Sequence, residues 1–228
     1  MIAQSKKFDL KTKVVIVDEF KIISQYFERK VEDNSVRVGI GDDGAVLSPD
    51  RQKDLIAVVD SVVSAVHFPV WLSPADIGYR AVAINLSDVA AMGGTPRWMT
   101  LALTLVKPDS DWLEEFSSGL FAAAEEFNVA LVGGDTTRGS EIIISVQILG
   151  DIERGSVLQR SGAEPGDGIY VSGTLGDASA GLSIKESGSP LTQASEFLVS
   201  RFQRPHPRVD LGRFLRTRAT AAIDLSDG

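Results

Sequence analysis

Residues 73–106 read SPADIGYRAVAINLSDVAAMGGTPRWMTLALTLV, and this stretch decides the fold. It opens with Ser73 as a helix cap, Pro74 at the first helical position and Asp76 three residues after the cap, which is a typical helix start. The apolar residues that follow predict a helix to about Ala91, where the glycines and the proline of GGTP end it. An apolar run of strand type comes next, so the stretch predicts a helix followed directly by a strand.

The elements on either side mix helices and strands. Apolar residues at three- and four-residue spacing predict helices, and short β-branched runs between Gly and Asp predict strands. The other expected helices are Asp18–Lys30, Trp112–Phe127, one within the glycine-rich segment 173–182, and Ala194–Phe202. The expected strands are Val36–Ile40, Ala45–Leu47, Leu55–Val59, Met99–Val106, Val129–Val132, Ile142–Leu149 and Gly168–Ser172. This order favours an α/β fold with α+β layers over a strictly alternating barrel.

The stretch Asp151–Asp167 is rich in Gly, Pro and charge, and we place a domain boundary inside it. We therefore expect an N-terminal extension over residues 1–17, an N-terminal domain over 18–152 and the start of a second α/β domain over 153–228. The about 75 residues after the boundary are few for a free-standing domain, so we expect the second domain to be incomplete.

The composition limits the chemistry. The chain has 228 residues and no cysteine, so disulfides, thiolate metal sites and cysteine nucleophiles are excluded. Its 23 basic and 31 acidic side chains give a net charge of -8, and residues 31–195 alone hold 10 basic and 23 acidic ones. Such a block repels a nucleic-acid backbone and favours metal cations as partners. With no apolar stretch near the ~20 residues of a membrane span and no signal-peptide core, we expect a cytoplasmic protein.

Aspartates recur inside or at the end of apolar runs. A carboxylate next to a buried run is costly to desolvate unless it is paired or bound to a cation, and lysine is scarce in this part of the chain. Magnesium, which prefers oxygen ligands, is the simplest explanation. Each aspartate taken alone is more often a turn residue or a helix cap, but several in one chain favour a shared site. They are Asp42 and Asp43 in VGIGDDG, Asp60 in LIAVVD, Asp88 in AINLSDVAAMGG, Asp135 in ALVGGDTTRG, and Asp224 and Asp227 in AAIDLSDG.

The segment Gly39–Gly44, GIGDDG, matches the G-x-G-x-x-G template of dinucleotide-binding folds. Two aspartates inside that loop would repel a pyrophosphate, and the residues after it are strand-like rather than helical. We reject the dinucleotide interpretation and favour a metal loop that meets phosphate through the cation. A plain turn between two strands is the alternative.

Asp88 lies in a helix that is apolar nearly all round, so we expect it to be buried, with Asn85 one turn earlier on the same face. A metal cluster would supply its partners, and a hydrogen bond to a neighbouring backbone is the alternative. GGDTTRG (133–139) combines small residues, a carboxylate, hydroxyls and Arg138, a composition suited to phosphate with metal. Arg160 is either a phosphate contact or a surface residue. His67 is either a core residue or part of the site near Asp60.

Several motifs together resemble the thiamine-monophosphate kinase family, which belongs to the superfamily of aminoimidazole ribonucleotide synthetase. The resemblance runs from about residue 18 to residue 228. The motifs are GIGDDGAVL, VVDSVVSAVHF, DIGYRAVAINLSDVAAMGGTPRWMTLALTL, LVGGDTTRG, RSGAEPGDGIYVSGTLGDASAGL, RPHPRVDLG and ATAAIDLSDG. The resemblance implies an N-terminal domain that dimerises through its sheet, ATP bound with several Mg²⁺ in a cleft, and transfer of the γ-phosphoryl group of ATP to thiamine monophosphate.

The resemblance also implies roles for individual residues. It makes His67 a substrate contact and names no catalytic acid or base. Its metal ligands are Asp43, Asp60, Asp88, Asp135, Asp224 and Asp227. Its ATP contacts are Gly134, Asp135, Arg160 and Ser226. This set of residues suits phosphoryl transfer, because such catalysis depends mainly on positioning the reactants and on cations that neutralise the developing charge. A phosphate acceptor needs no general base.

The sequence departs from the family pattern at three places. Val58 and Val59 stand where hydroxyl residues are common, and Ala65 stands where glycine is usual before the His-Phe pair. The family's later substrate-binding segment has no counterpart in these 228 residues, so we expect the chain to bind Mg²⁺ but to turn over poorly. The alternatives are another ATP-dependent enzyme of the superfamily, such as aminoimidazole ribonucleotide synthetase or selenophosphate synthetase, and a non-catalytic dimerisation or metal-binding module.

Overall fold

The computed structural model describes residues 19–226. The expected extension over residues 1–17 and the candidate ligand Asp227 lie outside the described residues. The helices are α1 Glu19–Ile22, α2 Pro74–Ala91, α3 Ser110–Glu126, α4 Asp177–Glu186, α5 Gln193–Gln203 and α6 Val209–Leu215. The strands are β1 Val36–Val38, β2 Val46–Leu47, β3 Lys53–Val63, β4 Thr95–Leu105, β5 Ala130–Arg138 and β6 Ile143–Glu153. A π-helical turn, Ile23–Phe27, follows α1, and a 3₁₀ turn, Arg160–Gly162, follows β6.

A four-stranded mixed sheet forms the centre of the fold, with the strand order β3-β6-β4-β5. β6 pairs antiparallel with β3 and with β4, whereas β4 and β5 are parallel and are connected through α3. Strands β1 and β2 form a separate antiparallel pair. This mixed α/β architecture confirms the predicted fold class.

Helix α2 begins as the sequence predicts. The N–H of Asp76 donates to Oγ of Ser73 over 3.1 Å, and that hydroxyl donates back to the Asp76 carboxylate over 2.8 Å. The Ser73 hydroxyl and Asp76 thus satisfy each other's hydrogen bonds, and this fixes the start of the helix at Pro74. The helix buries Ile77, Ala81, Val82, Leu86 and Val89 in the core.

Helices α2 and α3 approach each other almost at backbone contact. A Cβ atom on Gly119 of α3 would lie 1.8 Å from the carbonyl oxygen of Ala75, and one on Gly78 of α2 would lie 2.2 Å from that of Phe116. Only glycine fits at these two positions. The close crossing lets both helices pack on the same face of the sheet, over buried strand residues such as Leu103 and Ile148.

The residues after β6 pack against both ends of α2. Near its C-terminal end, a Cβ atom on Gly212 of α6 would lie 2.0 Å from the carbonyl oxygen of Ala90. Arg216 donates to the carbonyl oxygen of Gly93 and, over 3.1 Å, to Oγ1 of Thr95. Since these contacts lie just beyond Ala90, they bring the end of the chain close to the last turns of α2.

A second set of contacts holds the N-terminal end of α2. Nε of Arg204 lies 2.5 Å from the Asp76 carboxylate. The ring of Trp71 packs on that of Phe202, with 5.7 Å between the centroids. Helix α2 is therefore the element on which the two parts of the chain meet.

All four strands of the sheet are longer than predicted, with β4 beginning at Thr95 and β6 ending at Glu153. For β3 and β5 the extra length changes the setting of two motifs. We expected a strand over Leu55–Val59, but β3 extends to Val63 and includes Asp60. We expected GGDTTRG in a loop after Val132, but β5 continues to Arg138. In each case a long neighbouring strand continues the ladder of hydrogen bonds beyond the apolar run.

The predicted strand at Gly168–Ser172 is wrong. The described residues after Glu153 contain helices and turns but no strand, and Ile169 is 96% and Tyr170 92% exposed. An extended apolar segment becomes a strand only where a neighbour pairs with its backbone, and no described segment pairs with this one. Helix α6, which the sequence analysis missed, follows the prolines of RPHPRVDLG. Among the described helices, none is long and apolar enough to cross a membrane.

The glycine contact between α2 and α3 gives a direct test of the fold. We expect Gly119→Ala to lower the free energy of unfolding by about 1–3 kcal/mol, because the added methyl group forces the two helix backbones apart. Ser118→Ala, at an exposed neighbouring position of α3, should change it by less than about 0.5 kcal/mol. Urea denaturation of both variants measures the difference. A Gly119→Ala protein as stable as the wild type would contradict the close crossing.

Candidate functional site

Asp88 lies in the last turns of α2 and is half-buried rather than fully buried as expected. Burial raises the pKa of its carboxyl group to about 6, and the negative charges of Asp224 and Asp60 and a hydrogen bond with Asp224 add to the effect, while Arg160 opposes it. Asn85 does not pair with Asp88. Its side chain is fully buried and its Nδ2 donates to the carbonyl oxygen of Ala81 over 3.0 Å.

Asp60 faces α2 from the sheet. It is paired with Val146 on β6, which in turn is paired with Leu101 on β4, and both of these are buried beneath the helices. Side chains in one such row point to the same face, so Asp60 belongs to the helix side. Burial and the charge of Asp224 raise the pKa of Asp60, and His67 opposes this shift.

Asp224 and Arg160 come from the part of the chain after β6. Nη2 of Arg160 lies 4.0 Å from Oδ1 of Asp224, whose side chain is only 10% exposed. Ser226 donates its hydroxyl to Oδ2 of Asp224 over 3.2 Å. Gly162 holds the two segments together, because a Cβ atom there would lie 2.1 Å from the carbonyl oxygen of Thr220.

Asp60, Asp88, Asp224 and Arg160 thus form one group at the C-terminal end of α2, which we call the inner cluster. Three segments supply its carboxylates: a strand, a helix and the end of the described chain. Burial raises the pKa of Asp60 and of Asp88, and the negative charges of their neighbours in the cluster raise both values further. A single arginine at 4.0 Å from one of them does not neutralise three carboxylates.

Asp135 and Gly134 do not join the inner cluster in this chain. Asp135 is exposed. It pairs across the sheet with Ala102, which pairs with Ser145, whereas Asp60 pairs with Val146, the next residue along β6. The Asp135 side chain is therefore on the opposite face of the sheet. Only glycine fits at position 134, because a Cβ atom there would lie 1.9 Å from the carbonyl oxygen of Leu101.

Asp42 and Asp43 lie in the exposed loop between β1 and β2, where the N–H of Asp43 donates to the Asp42 carboxylate over 2.8 Å. The chain leading into β1 is tied to the sheet by Arg97, whose Nη2 lies 3.0 Å from the Asp33 carboxylate. The hydrogen bonds and ion pairs among the described residues do not connect this loop to Asp88. Arg138, which composition suggested for phosphate, is exposed at the end of β5.

His67 lies in a tight loop after β3, and its Nδ1 accepts the N–H of Val63 over 3.0 Å. Ala65 in this loop has φ of 60°, a left-handed conformation that costs a residue with a side chain roughly 1–2 kcal/mol. This explains physically why glycine suits the position. Val58 and Val59 stand in β3 where the family commonly has hydroxyl residues. Val59 is 61% exposed, on the face of the sheet that points away from α2 and α3, which we call the outer face.

Asp151 shows that an aspartate beside an apolar run need not bind metal. It is 3% exposed, and its two oxygens lie 3.0 Å from Nζ of Lys53 and 3.1 Å from Nη1 of Arg97. This ion-pair network was not predicted, although the run VQILGDIE places Asp151 after apolar residues in the same way as the candidate ligands. Two cations satisfy Asp151, whereas the inner cluster has one arginine.

The described residues contain no ready-made cage of three or more acidic or histidine side chains for a metal ion. The oxygen chemistry of the inner cluster nevertheless fits Mg²⁺, which is commonly bound by one or two carboxylates together with water and substrate phosphates. Two open surface depressions, of about 520 and 400 Å³, are lined by residues 30–37 and by residues around Asp50 and Arg154. Neither depression is lined by a residue of the inner cluster.

Comparisons with known proteins identify the family. Residues 41–152 match the family described as AIR synthase related protein, N-terminal domain. The chain is 46% identical over 213 residues to thiamine-monophosphate kinase of Salmonella typhimurium, an alignment that covers 92% of this chain and 65% of the relative. The chain therefore spans about 65% of the length of that relative.

Two solved structures are similar over most of this chain. The crystal structure of thiamine-monophosphate kinase from Stenotrophomonas maltophilia K279a has a TM-score of 0.84 and 45% identity, covering 92% of this chain and 68% of that one. The structure of AaThiL complexed with AMPPCP and TMP has a TM-score of 0.72 and 33% identity, covering 89% and 62%. The shared fold and this degree of identity show that the chain belongs to the thiamine-monophosphate kinase family.

Proposed function

We propose that this chain forms the ATP- and Mg²⁺-binding part of an enzyme that transfers the γ-phosphoryl group of ATP to thiamine monophosphate, giving thiamine diphosphate. The observation that supports this best is the inner cluster, in which three carboxylates converge with too little positive charge of their own. A related structure is complexed with AMPPCP, an ATP analogue, and TMP. We place the division between its two domains near residue 152, and the enzyme in the cytoplasm.

Each residue of the inner cluster has a role in this proposal. Asp60, Asp88 and Asp224 hold Mg²⁺, which supplies positive charge to the phosphate oxygens when it is bound. Arg160 faces the same phosphates and keeps Asp224 oriented, and Ser226 adds a hydroxyl beside it. The acceptor is itself a phosphate monoester and already ionised, so the chain needs only to bring the two phosphates into line.

Two further described ligands that the resemblance implies, Asp43 and Asp135, lie outside the inner cluster, and both are exposed. We assign them, with Asp227, to further Mg²⁺ ions, and the resemblance to the family is the support for this assignment. Asp135 and Asp60 lie on opposite faces of the sheet, so one ion does not bridge them.

Calorimetric titration tests the proposal. With Mg²⁺ and an ATP analogue present, thiamine monophosphate should bind. Asp88→Asn should weaken Mg²⁺-dependent nucleotide binding by about tenfold or more, since it removes a charge from the cation site without changing its shape. Asp54→Asn, the same change at an exposed position of β3, should leave binding unchanged. If the nucleotide binds but thiamine monophosphate does not, another enzyme of the superfamily is favoured. If neither ligand binds, a non-catalytic module is favoured.

The burial of Asp88 and the negative charges beside it predict a pH dependence of stability without metal. The pKa of Asp88 is raised to about 6 in the folded protein, so between about pH 6 and its ordinary value of 3.8 the folded state binds a proton that the unfolded state does not. Its contribution should therefore stabilise the protein as the pH falls through 6. In thermal denaturation with chelator, the difference in Tm between wild type and Asp88→Asn should change between pH 7 and pH 5. A constant difference would contradict the raised pKa.

We also propose that the chain forms a homodimer through the outer face of its sheet. Helices α2 and α3 cover one face, whereas the other presents Leu55 and Val59, which are 52% and 61% exposed. Apolar side chains at this spacing on one strand form a surface that a second sheet can cover.

Light scattering at micromolar protein concentration checks the dimer. The wild type should have the mass of two chains, and Val59→Arg should have the mass of one, because it puts a charge at the centre of the proposed interface. Val70→Arg changes a residue that is 88% exposed in a loop and should leave the dimer intact. A monomeric wild type would contradict the proposal.

A further inference from the structure

Arg216 follows α6 and binds the turn that ends α2. Its Nε donates to the carbonyl oxygen of Gly93, and its Nη2 donates to Oγ1 of Thr95 over 3.1 Å. The stem of the side chain lies on Gly93, because a Cβ atom added there would be 3.0 Å from Cγ of Arg216. Arg216 is half-buried, whereas its neighbours Arg213 and Arg218 are exposed. Two donors of one planar group thus fix this side chain on the turn.

The segment that carries Arg160 is held by the same turn. The N–H of Leu158 donates to the carbonyl oxygen of Met92 over 3.2 Å, and Leu158 is buried. A Cβ atom on Gly93 would also lie 3.6 Å from Cδ1 of Leu158. Asp88 is tied to this turn directly, since the N–H of Met92 donates to its carbonyl oxygen over 3.1 Å. The turn therefore connects Asp88 to both segments that reach the inner cluster from beyond β6.

Asp224 depends on such contacts more than the other carboxylates of the inner cluster do. A strand holds Asp60 and a helix holds Asp88, whereas the described residues 219–226 contain neither. Arg216 lies three residues before this segment, so its bonds fix the point from which the segment starts. Because side-chain contacts rather than a ladder of backbone hydrogen bonds hold the segment, loss of one anchor displaces Asp224 without unfolding the sheet.

The geometry points to Arg216 as a positioning residue for the proposed phosphoryl transfer. By fixing the chain to the turn after α2, it sets the distance between Asp88 and Asp224, the carboxylates that hold Mg²⁺ in that proposal. Its effect on binding rests on the proposed function, whereas the fixed position of Asp224 rests on the contacts alone. Arg216 does not itself contact the phosphates in this role, because Nε and Nη2 are bound within the chain. A displacement of ~1 Å at such a site costs on the order of a hundredfold in rate.

Pulsed electron spin resonance of two spin labels tests the position without ligand. The chain has no cysteine, so Ser118→Cys on α3 and Ile223→Cys in the segment before Asp224 each place one label at an exposed position. Labelled protein diluted with unlabelled protein reports only distances within one chain. Arg216→Ala should broaden the distance distribution at least about twofold, whereas Arg213→Ala, at an exposed arginine of α6, should leave it narrow. A distribution that Arg216→Ala leaves unchanged would overturn the inference.

Calorimetric titration with Mg²⁺ and AMPPCP tests the effect on the site. Arg216→Ala should weaken nucleotide binding about tenfold in the wild-type background, but by less than about twofold when Asp224→Ala is already present. A residue that acts through Asp224 has nothing left to position once that carboxylate is removed. A residue that only stabilises the fold would weaken binding by the same factor in both backgrounds, and equal factors would overturn the inference. If the wild type binds no nucleotide, the proposed function is contradicted, and the label distances still decide the position of the segment.

Three further variants separate the hydrogen bonds of Arg216 from its charge. Arg216→Lys keeps the positive charge but not the planar pair of donors, so it should broaden the distance distribution as Arg216→Ala does. Thr95→Val removes the hydroxyl that Nη2 binds and should also broaden it, whereas Thr95→Ser keeps the hydroxyl and should not. The two Thr95 variants provide the test even if Arg216→Ala does not fold. A wild-type distribution in Arg216→Lys, or the same distribution in both Thr95 variants, would overturn the inference.

Discussion

The convergence of Asp60, Asp88 and Asp224 beside a single arginine is the least favourable feature of this fold, and the packing around it holds it in place. Burial raises the pKa of Asp60 and of Asp88, and the negative charge of Asp224 adds to both shifts. Such an arrangement is unfavourable unless a cation occupies it, so the fold must hold the three segments together against their charges. The contacts of α2 provide that restraint.

Helix α2 acts as the platform because glycines allow it to be approached on two sides. Gly119 of α3 meets it near Ala75, and Gly212 of α6 meets it at Ala90, two residues after Asp88. Arg216 then caps the turn after the helix by binding the carbonyl oxygen of Gly93. The result is that Asp88 keeps a fixed place between the strand that bears Asp60 and the segment that bears Asp224.

Local sequence signals predicted the parts of this structure that depend on neighbouring residues in the chain. The Ser73–Asp76 cap, the extent of α2 and the apolar runs of β4 and β6 all follow from such signals. The ends of β3 and β5 do not, because pairing with a long neighbour extended them past their apolar runs. The strand at Gly168–Ser172 failed for the converse reason, since it has no partner among the described residues.

The same distinction applies to the site. The sequence identified Asp88 and Asp224 as candidates, but only the sheet register shows that Asp60 faces them and that Asp135 faces away. Nor does sequence distinguish Asp151, which two cations neutralise, from the residues of the inner cluster. The choice between a structural ion pair and a metal ligand depends on contacts between residues that are distant in the chain.

A crystal grown with Mn²⁺ and AMPPCP tests the central claim most directly, because the anomalous scattering of Mn²⁺ locates the cation independently of the atomic model. The account predicts an anomalous peak at coordination distance, on the order of 2.1 Å, from a carboxylate oxygen of Asp60, Asp88 or Asp224, next to the nucleotide phosphates. Peaks found only elsewhere, for example at Asp42 and Asp43 with the inner cluster empty, would contradict it.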